Sequence, residues 1–473
     1  MLGVFIYGMS VFAAFLTVLA VFSATGARPT PLRLLRYAAV TATVLLILMV
    51  GVFNALPGFF VGNQKAYDVT RWLRGAGPAQ HALADPRIHL VLIDNGNSKE
   101  LVVDPDHFRP PALLTHRGEL TELLHWLADR SDGIAYVVCD MLFLERTDHD
   151  DTLAAAMHRL AGQGKLLLAK SDSGNVAPFR FDDSVLFDAT ASLQEERIAW
   201  HKVLPHGKPS LPYAMYLRST GTTARPFLCG RIARETTNGE SHCRYPAFMP
   251  GFHLLDHEGF FPGPADKPGS VEAPELAPLS LHEAITEFGR YDLEQHMADR
   301  SRPPPVIFIG GFSSPTGESS DMHETFVGRQ RGSTLILALY LELMAGVHHI
   351  HGATLLLQWI ILVVLLFFLF MKPWRKPLVP ADPAKGPDAA SRPPTMARVV
   401  LHSLCKFLKG LPRKWFPEIL LVTLFFALEV WTGEHVNLAA LLLYFAVLHA
   451  FIAALHLPHP PVDEKLHATA VED

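Results

Sequence analysis

Two aspartates follow apolar runs at places where a parallel sheet would position a ligand. Asp94 ends the run IHLVLID, and Asp140 ends the run IAYVVCD. Ligands of open α/β sheets bind outside the carboxyl ends of the strands. With Glu145 beyond them, these carboxylates could hold a hard cation such as Mg²⁺ or Ca²⁺, or act as an acid–base pair. Alternatively, both aspartates cap neighbouring turns or pair with Arg117. We predict a ligand site that includes these four residues and His116.

Histidine is abundant, but its spacing does not indicate a metal site. The chain has 24 histidines. Those that we considered as possible zinc ligands are His107, His116, His149, His158, His323, His348, His349 and His351. No two of this set lie four residues apart with a carboxylate partner, so we predict no metal. Surface or interface histidines are the simpler interpretation, and a mildly acid-sensing role stays open because imidazole titrates near ~6.5.

Motifs for nucleotide binding and nucleophilic catalysis are missing from the sequence. Gly310-Gly311 follows a strand and could cradle an anion through backbone N–H groups. Neither a P-loop nor a GxGxxG pattern accompanies it, and the turn is expected to be structural. No GxSxG motif occurs. The sequence therefore predicts neither an enzyme nor a cofactor, and the net charge of −5 gives no basic surface for nucleic acid.

Two cysteines could form a disulfide. Cys229 and Cys243 flank Asn238-Gly239, a dipeptide that favours a tight turn. Closing this loop of about 14 residues would contribute on the order of 3 kcal/mol, and a periplasm would permit the bond. The alternative is two unpaired thiols in a surface loop.

The segments that must position these residues alternate between predicted strands and predicted helices. Continuous apolar runs predict buried parallel strands, and leucine or alanine at helical spacing predicts the helices between them. The pattern indicates an α/β sandwich with helices on both faces of a parallel sheet and an insertion at 220–277. The predicted strands are 88–94, 134–140, 165–169 and 305–310, and the predicted helices are 117–130, 148–160 and 334–344.

The remaining apolar residues are concentrated in five nearly uncharged segments. The chain is 49% apolar and 18% charged, and each segment approaches the ~17–25 residues that span a bilayer. We predict transmembrane helices at 1–24, 37–60, 352–372, 416–432 and 436–457. Lys and Arg in the loops predict their side of the membrane. The basic loops 25–36 and 373–415 and the tail 458–473 would be cytoplasmic, and the N-terminus and the domain 61–351 would face a bacterial periplasm.

Two features of the predicted membrane part are polar. Glu429 lies near the outer end of one span, and His449 lies well inside another. We expect both to contact water, another helix or another subunit. Within the loop 373–415, a basic amphipathic segment predicts an interfacial helix that rests on anionic lipid. A helix that docks on a partner protein would show the same pattern.

The order of these motifs resembles the type-two CHASE domain, an extracytoplasmic sensory module of bacterial receptors. The resemblance covers about 87–171 and 305–351. It rests on the strand ending in Asp94, His116-Arg117 before a leucine-rich helix, DMLFLE at 140–145, the acids and alanine-rich helix from 148, VIFIG at 306–310, the 321–325 loop, and the helix from Gly332 to LMAG at 343–346. It implies a sensory domain between an N-terminal span and about three C-terminal spans.

Two functions are consistent with these features. In the first, an inner-membrane protein recognises a ligand or partner through its periplasmic domain. Because no segment is large enough for the cyclase, kinase or phosphodiesterase that commonly follows such domains, it would pass its state to a separate protein. In the second, the chain is a non-catalytic structural or assembly subunit of a larger envelope complex. Its partners would be the bilayer and other envelope proteins.

Overall fold

The computed structural model describes residues 30–51, 85–102, 112–143, 147–170, 177–182, 184–189, 192–194, 198–227, 232–244, 247–248, 278–312, 322–325, 328–346, 349–371, 420, 423–425 and 427–428. In chain order the elements are α1 (Pro31–Gly51), β1 (Leu90–Asp94), β2 (Lys99–Val102), β3 (Ala112–Thr115), α2 (Arg117–Asp129), β4 (Tyr136–Cys139), α3 (Asp150–Gly162), β5 (Leu166–Lys170), β6 (Leu186–Asp188), β7 (Ser192–Gln194), β8 (Ile198–Lys202), α4 (Leu211–Thr220), β9 (Thr223–Phe227), β10 (Ile232–Thr237), β11 (Glu240–Arg244), β12 (Ala247–Phe248), β13 (Leu279–Ser280), α5 (Leu281–Ile285), α6 (Glu287–Ala298), β14 (Val306–Gly310), β15 (Met322–Thr325), β16 (Gly328–Arg331), α7 (Gly332–Met344), β17 (His349–Ile350) and α8 (Gly352–Met371).

The apolar runs form a six-stranded sheet in the order β13-β1-β14-β4-β5-β6. Every neighbouring pair is parallel. This confirms the predicted α/β fold and the four predicted strands. Because β14 pairs with both β1 and β4, it lies between the strand that ends at Asp94 and the strand that precedes Asp140. The register places Asp94 beside Gly310, and Ile309 beside Cys139.

Helices cover both faces of this sheet, which is why its central strands are almost continuously apolar. Alternate residues of one strand face opposite sides, as Leu92 and Ile93 do on β1. Leu92 and Phe308 belong to the hydrophobic core under α4 and α7. Ile93 and Ile309 belong to the other core, under α2, α3, α5 and α6.

A smaller antiparallel sheet forms beside the parallel one, in the order β17-β11-β10-β9. Its central hairpin turns at Asn238 and Gly239, whose φ angles of 50° and 87° are both left-handed. This is the tight turn that the sequence predicts. Glycine at its second position adopts the left-handed conformation without steric penalty. Among the described residues, β17 pairs with β11 at two positions, Cys243 with Ile350 and Arg244 with His349.

The helices α1 and α8 belong to a separate compact unit of the chain. The Trp359 indole on α8 donates a 3.0 Å hydrogen bond to Thr43 Oγ1 on α1. The helix α1 begins at Pro31, so that Arg33 and Arg36 of the predicted cytoplasmic loop belong to it. Of the predicted span 37–60, residues 37–51 lie in α1, and the predicted span 352–372 corresponds to α8.

Over the part of the chain that the structure describes, no helix combines the length and apolarity needed to cross a membrane. The prediction of about five transmembrane helices is therefore wrong for these residues. The predicted spans 1–24 and 436–457 lie outside the described residues, as do most of 416–432, the loop 373–415 and the tail 458–473. Glu429 and His449 lie outside them as well. The predicted periplasmic location stays a prediction.

The central strand β14 provides a test of the core. The Phe308 side chain is fully buried, and we expect Phe308→Ala to lower the free energy of unfolding by about 3–5 kcal/mol through the cavity it leaves. Phe288 on α6 is 82% exposed, so Phe288→Ala is the matched control and should change it by less than ~0.5 kcal/mol. Guanidinium denaturation of the full chain, followed by circular dichroism, measures both. Equal losses in the two variants would contradict this assignment of the core.

Candidate functional site

The predicted aspartates both lie at the carboxyl edge of the parallel sheet, but on strands that are not neighbours. Asp94 ends β1 and Asp140 follows β4, with β14 between them. Two strand spacings separate their backbones by about 10 Å. The two aspartates therefore share one edge of the sheet without lying on adjacent strands. The backbone at the end of β14 occupies the space between the two carboxylates.

Asp94 stabilises the turns at this edge. Its side chain is buried, and Oδ1 accepts hydrogen bonds from the Gly96 N–H at 3.0 Å and the Phe312 N–H at 2.7 Å. These bonds join the loop after β1 to the segment after β14. The capping role, which the sequence left as an alternative, is the one that the geometry shows for this oxygen.

Asp140 contacts a residue that the sequence did not indicate. The Ser333 hydroxyl, at the start of α7, donates a 2.6 Å hydrogen bond to Asp140 Oδ2. The same hydroxyl oxygen accepts a 2.9 Å bond from the Gly311 N–H. A Cβ at Gly310 would lie 2.8 Å from Ser333 Cβ, closer than real Cβ contacts. The glycine is therefore required for the close approach of α7 to β14, and the Gly311 N–H is used by Ser333.

Arg117 forms a buried ion pair with Asp150. Its Nη1 contacts Asp150 Oδ1, and the two side chains are only 4% and 5% exposed. The guanidinium also lies 5.2 Å from the ring centre of Phe143 and 5.5 Å from that of Phe179. This pair links the N-termini of α2 and α3. The sequence predicted Arg117 as a site residue but not its partner.

Asp150 was not predicted as a site residue, although its spacing places it on the buried face of α3. It lies three, four and seven residues before the buried Leu153, Ala154 and Met157, on the inner face of α3. Thr147 Oγ1 donates a 2.9 Å hydrogen bond to Asp150 Oδ1. The second oxygen, Oδ2, is buried without a hydrogen-bond partner. A buried carboxylate oxygen in this state favours any ligand that can donate a hydrogen bond to it.

His116 caps α2. Its Nδ1 accepts a 3.2 Å hydrogen bond from the backbone N–H of Glu119, and the backbone N–H of His116 donates to the Ser98 carbonyl oxygen at 2.9 Å. This role accounts for a histidine directly before the helix.

Two other predicted residues cannot be placed. Glu145 and Cys229 lie outside the described residues. Cys243 lies half-buried on β11. Because its predicted partner Cys229 is not among the described residues, the disulfide stays a prediction. Among the described residues there is no cluster of three or more His, Cys, Asp or Glu side chains that could hold a metal.

These contacts define the candidate site as the carboxyl edge of β1, β14 and β4. We call this the carboxylate edge; it comprises Asp94, Asp140 and Ser333, with the Arg117–Asp150 pair beside it. Its polar side chains are mainly hydrogen-bond acceptors. Such a surface suits a ligand that carries hydroxyl or ammonium donors.

Comparisons of this chain with protein-family models, with curated proteins and with solved structures found no match. The resemblance to the type-two CHASE domain therefore stays a prediction that rests on the ordered motifs.

The buried ion pair gives a test by double substitution. Arg117→Met should lower the free energy of unfolding by about 3–5 kcal/mol, because it leaves the Asp150 charge buried without its partner. Adding Asp150→Leu should restore most of that loss, since no buried charge remains. Chemical denaturation of the full chain measures all variants.

The matched control for this test is the exposed pair of Arg159 and Asp129, whose side chains are 48% and 55% exposed. Arg159→Met should cost less than ~1 kcal/mol. A double variant at 117 and 150 that is no more stable than Arg117→Met alone would show that the ion pair does not govern this region.

Proposed function

We propose that the α/β domain is a non-catalytic recognition domain of sensory type. It binds a small polar ligand at the carboxylate edge and reports the bound state to a separate protein. The ligand class follows from the acceptor-rich side chains of this edge: an amine, amino sugar or polyol with several donors.

One observation carries the proposal. At the carboxyl ends of the neighbouring strands β1 and β14, the chain leaves toward opposite faces of the sheet. After β1 it continues to α2, which packs on one core, and after β14 it continues to α7, which packs on the other. Such a divergence opens a crevice at the sheet edge, and ligands of open α/β sheets bind at that point.

Polar and small residues of the chain lie at this point. Asp94 lies at the end of β1, Gly310 at the end of β14, and Ser333 at the start of the helix that leaves β14. The motifs that resemble the CHASE domain begin at β1 and end with the helix α7, and this resemblance agrees with a sensory role. The alternative function, an assembly subunit of a larger complex, stays a prediction.

Ligand-dependent stabilisation tests this function. We expect thermal unfolding of the full chain, in a panel of polyamines, amino acids, amino sugars, polyols and divalent cations, to reveal at least one stabilising compound. At about 100 times its dissociation constant, that compound should add roughly 2.7 kcal/mol to the free energy of unfolding.

Variants locate the binding. Asp140→Asn keeps an acceptor for Ser333 but removes the charge, and it should abolish most of the stabilisation by the compound. Asp129→Asn is the control, because this exposed aspartate ends α2 at the opposite edge of the sheet. A panel without any stabilising compound, or equal stabilisation of wild type and Asp140→Asn, would overturn the proposal.

A further inference from the structure

A second polar cluster is buried away from the carboxylate edge, between α4 and the small antiparallel sheet. Its centre is Glu235 on β10, which is 2% exposed. Tyr213 and Tyr216 on α4 donate hydrogen bonds to its two oxygens at 2.8 and 3.2 Å. Arg244 on β11 donates to both oxygens as well. His349 on β17 completes the cluster, with Nε2 3.1 Å from Glu235 Oε2.

Glu235 and the tyrosines keep their charge states near neutral pH. Burial alone would raise the pKa of Glu235, but its contacts with His349 and Arg244 and the Arg244 charge lower it to about 2. Burial raises the pKa of Tyr213 and of Tyr216 above the ordinary tyrosine value. A guanidinium stays protonated throughout. His349 is therefore the member of this cluster that can change charge between pH 5 and 8.

The His349 ring has two partners, and its protonation state decides which of them it bonds. Its Nε2 lies 2.6 Å from Arg244 Nη2 and 3.1 Å from Glu235 Oε2, and Arg244 Nη2 lies 3.2 Å from the same glutamate oxygen. A neutral ring with its proton on Nδ1 accepts from Arg244, which bridges it to the glutamate. A protonated ring carries hydrogen on Nε2, so it loses the Arg244 bond, places a cation against the guanidinium and can donate only to Glu235.

Other groups facing His349 are also histidines. The His242 ring on β11 stacks at 5.7 Å, and the His351 ring lies edge-on at 6.4 Å. Burial is the main reason that the pKa of His349 lies below its ordinary value; Arg244 and His242 lower it further, and Glu235 opposes them.

We propose that His349 is a proton-sensitive clasp that fastens β17 to β11. The neutral ring holds β17 through Arg244, which also binds Glu235. Protonation breaks the Arg244 contact, leaves the bond to Glu235 and weakens the attachment of the strand. Among the described residues, two residue pairs join β17 to β11 beside this cluster. In the chain, β17 ends one residue before α8 begins, so the clasp controls the segment that leads into that helix.

The direction of the pH effect follows from linkage. In the released strand, His349 is exposed and has an ordinary pKa near ~6.5; in the closed cluster, its pKa is lower. The released form therefore binds more protons as the pH falls, and closure is strongest above about pH 7 and weakens through 6.5. Between pH 7.5 and 5.5, one such group changes the closing equilibrium by at most about tenfold.

Hydrogen exchange of the full chain measures this equilibrium. After correction for the intrinsic pH dependence of exchange, the protection factors of β11 and β17 amides should fall roughly three- to tenfold from pH 7.5 to 5.5. His349→Gln removes the titrating group and should abolish this change. His242→Gln replaces the stacked neighbour and should keep it. The β1 and β14 amides in the same samples report any global unfolding.

Two results would overturn the clasp: wild-type protection that is unchanged between the two pH values, or a full pH effect in His349→Gln. If His349→Gln does not fold, the variant His242→Gln/His351→Gln decides, because His349 is then the remaining histidine of the three stacked rings. It must retain a fall in protection between the two pH values, and loss of that fall in the double variant would assign the effect to its neighbours.

Discussion

The pairing of β14 between β1 and β4 is the constraint on which the rest of the domain depends. This strand forms the centre of the sheet and is buried at all five positions. Its insertion separates Asp94 from Asp140 and sends the chain to opposite faces at the carboxyl edge. It also brings α7 so close that only glycine fits at position 310. The candidate site is therefore a consequence of strand order.

Strand order is also what the sequence could not supply. Apolar runs are local patterns, and they identified the strands now seen as β1, β4, β5 and β14. Which strands become neighbours depends on packing between residues far apart in the chain, and β14 joins β1 from more than two hundred residues away. Short strands such as β13 carry too few residues for a pattern. Length and apolarity alone also led to the wrong expectation of membrane spans in the described part.

The site residues show the same division between local and distant information. His116 and Arg117 could be predicted because they begin a helix, where caps and charges have characteristic positions. Their partners could not, because Asp150 was one of several acids near the start of α3. Ser333 resembles any small residue at a helix start until the fold places it over Gly310. Glu235 lies in the polar run IARETT, and its inward direction is fixed only by the pairing of β9, β10 and β11.

The two buried ion pairs differ in a way that separates their roles. Burying opposite charges seldom stabilises a fold more than apolar residues of similar size would, so such pairs are often retained for specificity. Arg117 and Asp150 fix the N-termini of α2 and α3 at the carboxylate edge. The Arg244–Glu235 pair has the same chemistry but includes a histidine as a third member. A network whose bonds change with one proton provides an adjustable connection, whereas the Arg117 pair provides a fixed one. Rigidity at the carboxylate edge and adjustability at β17 are what the proposed recognition domain would require.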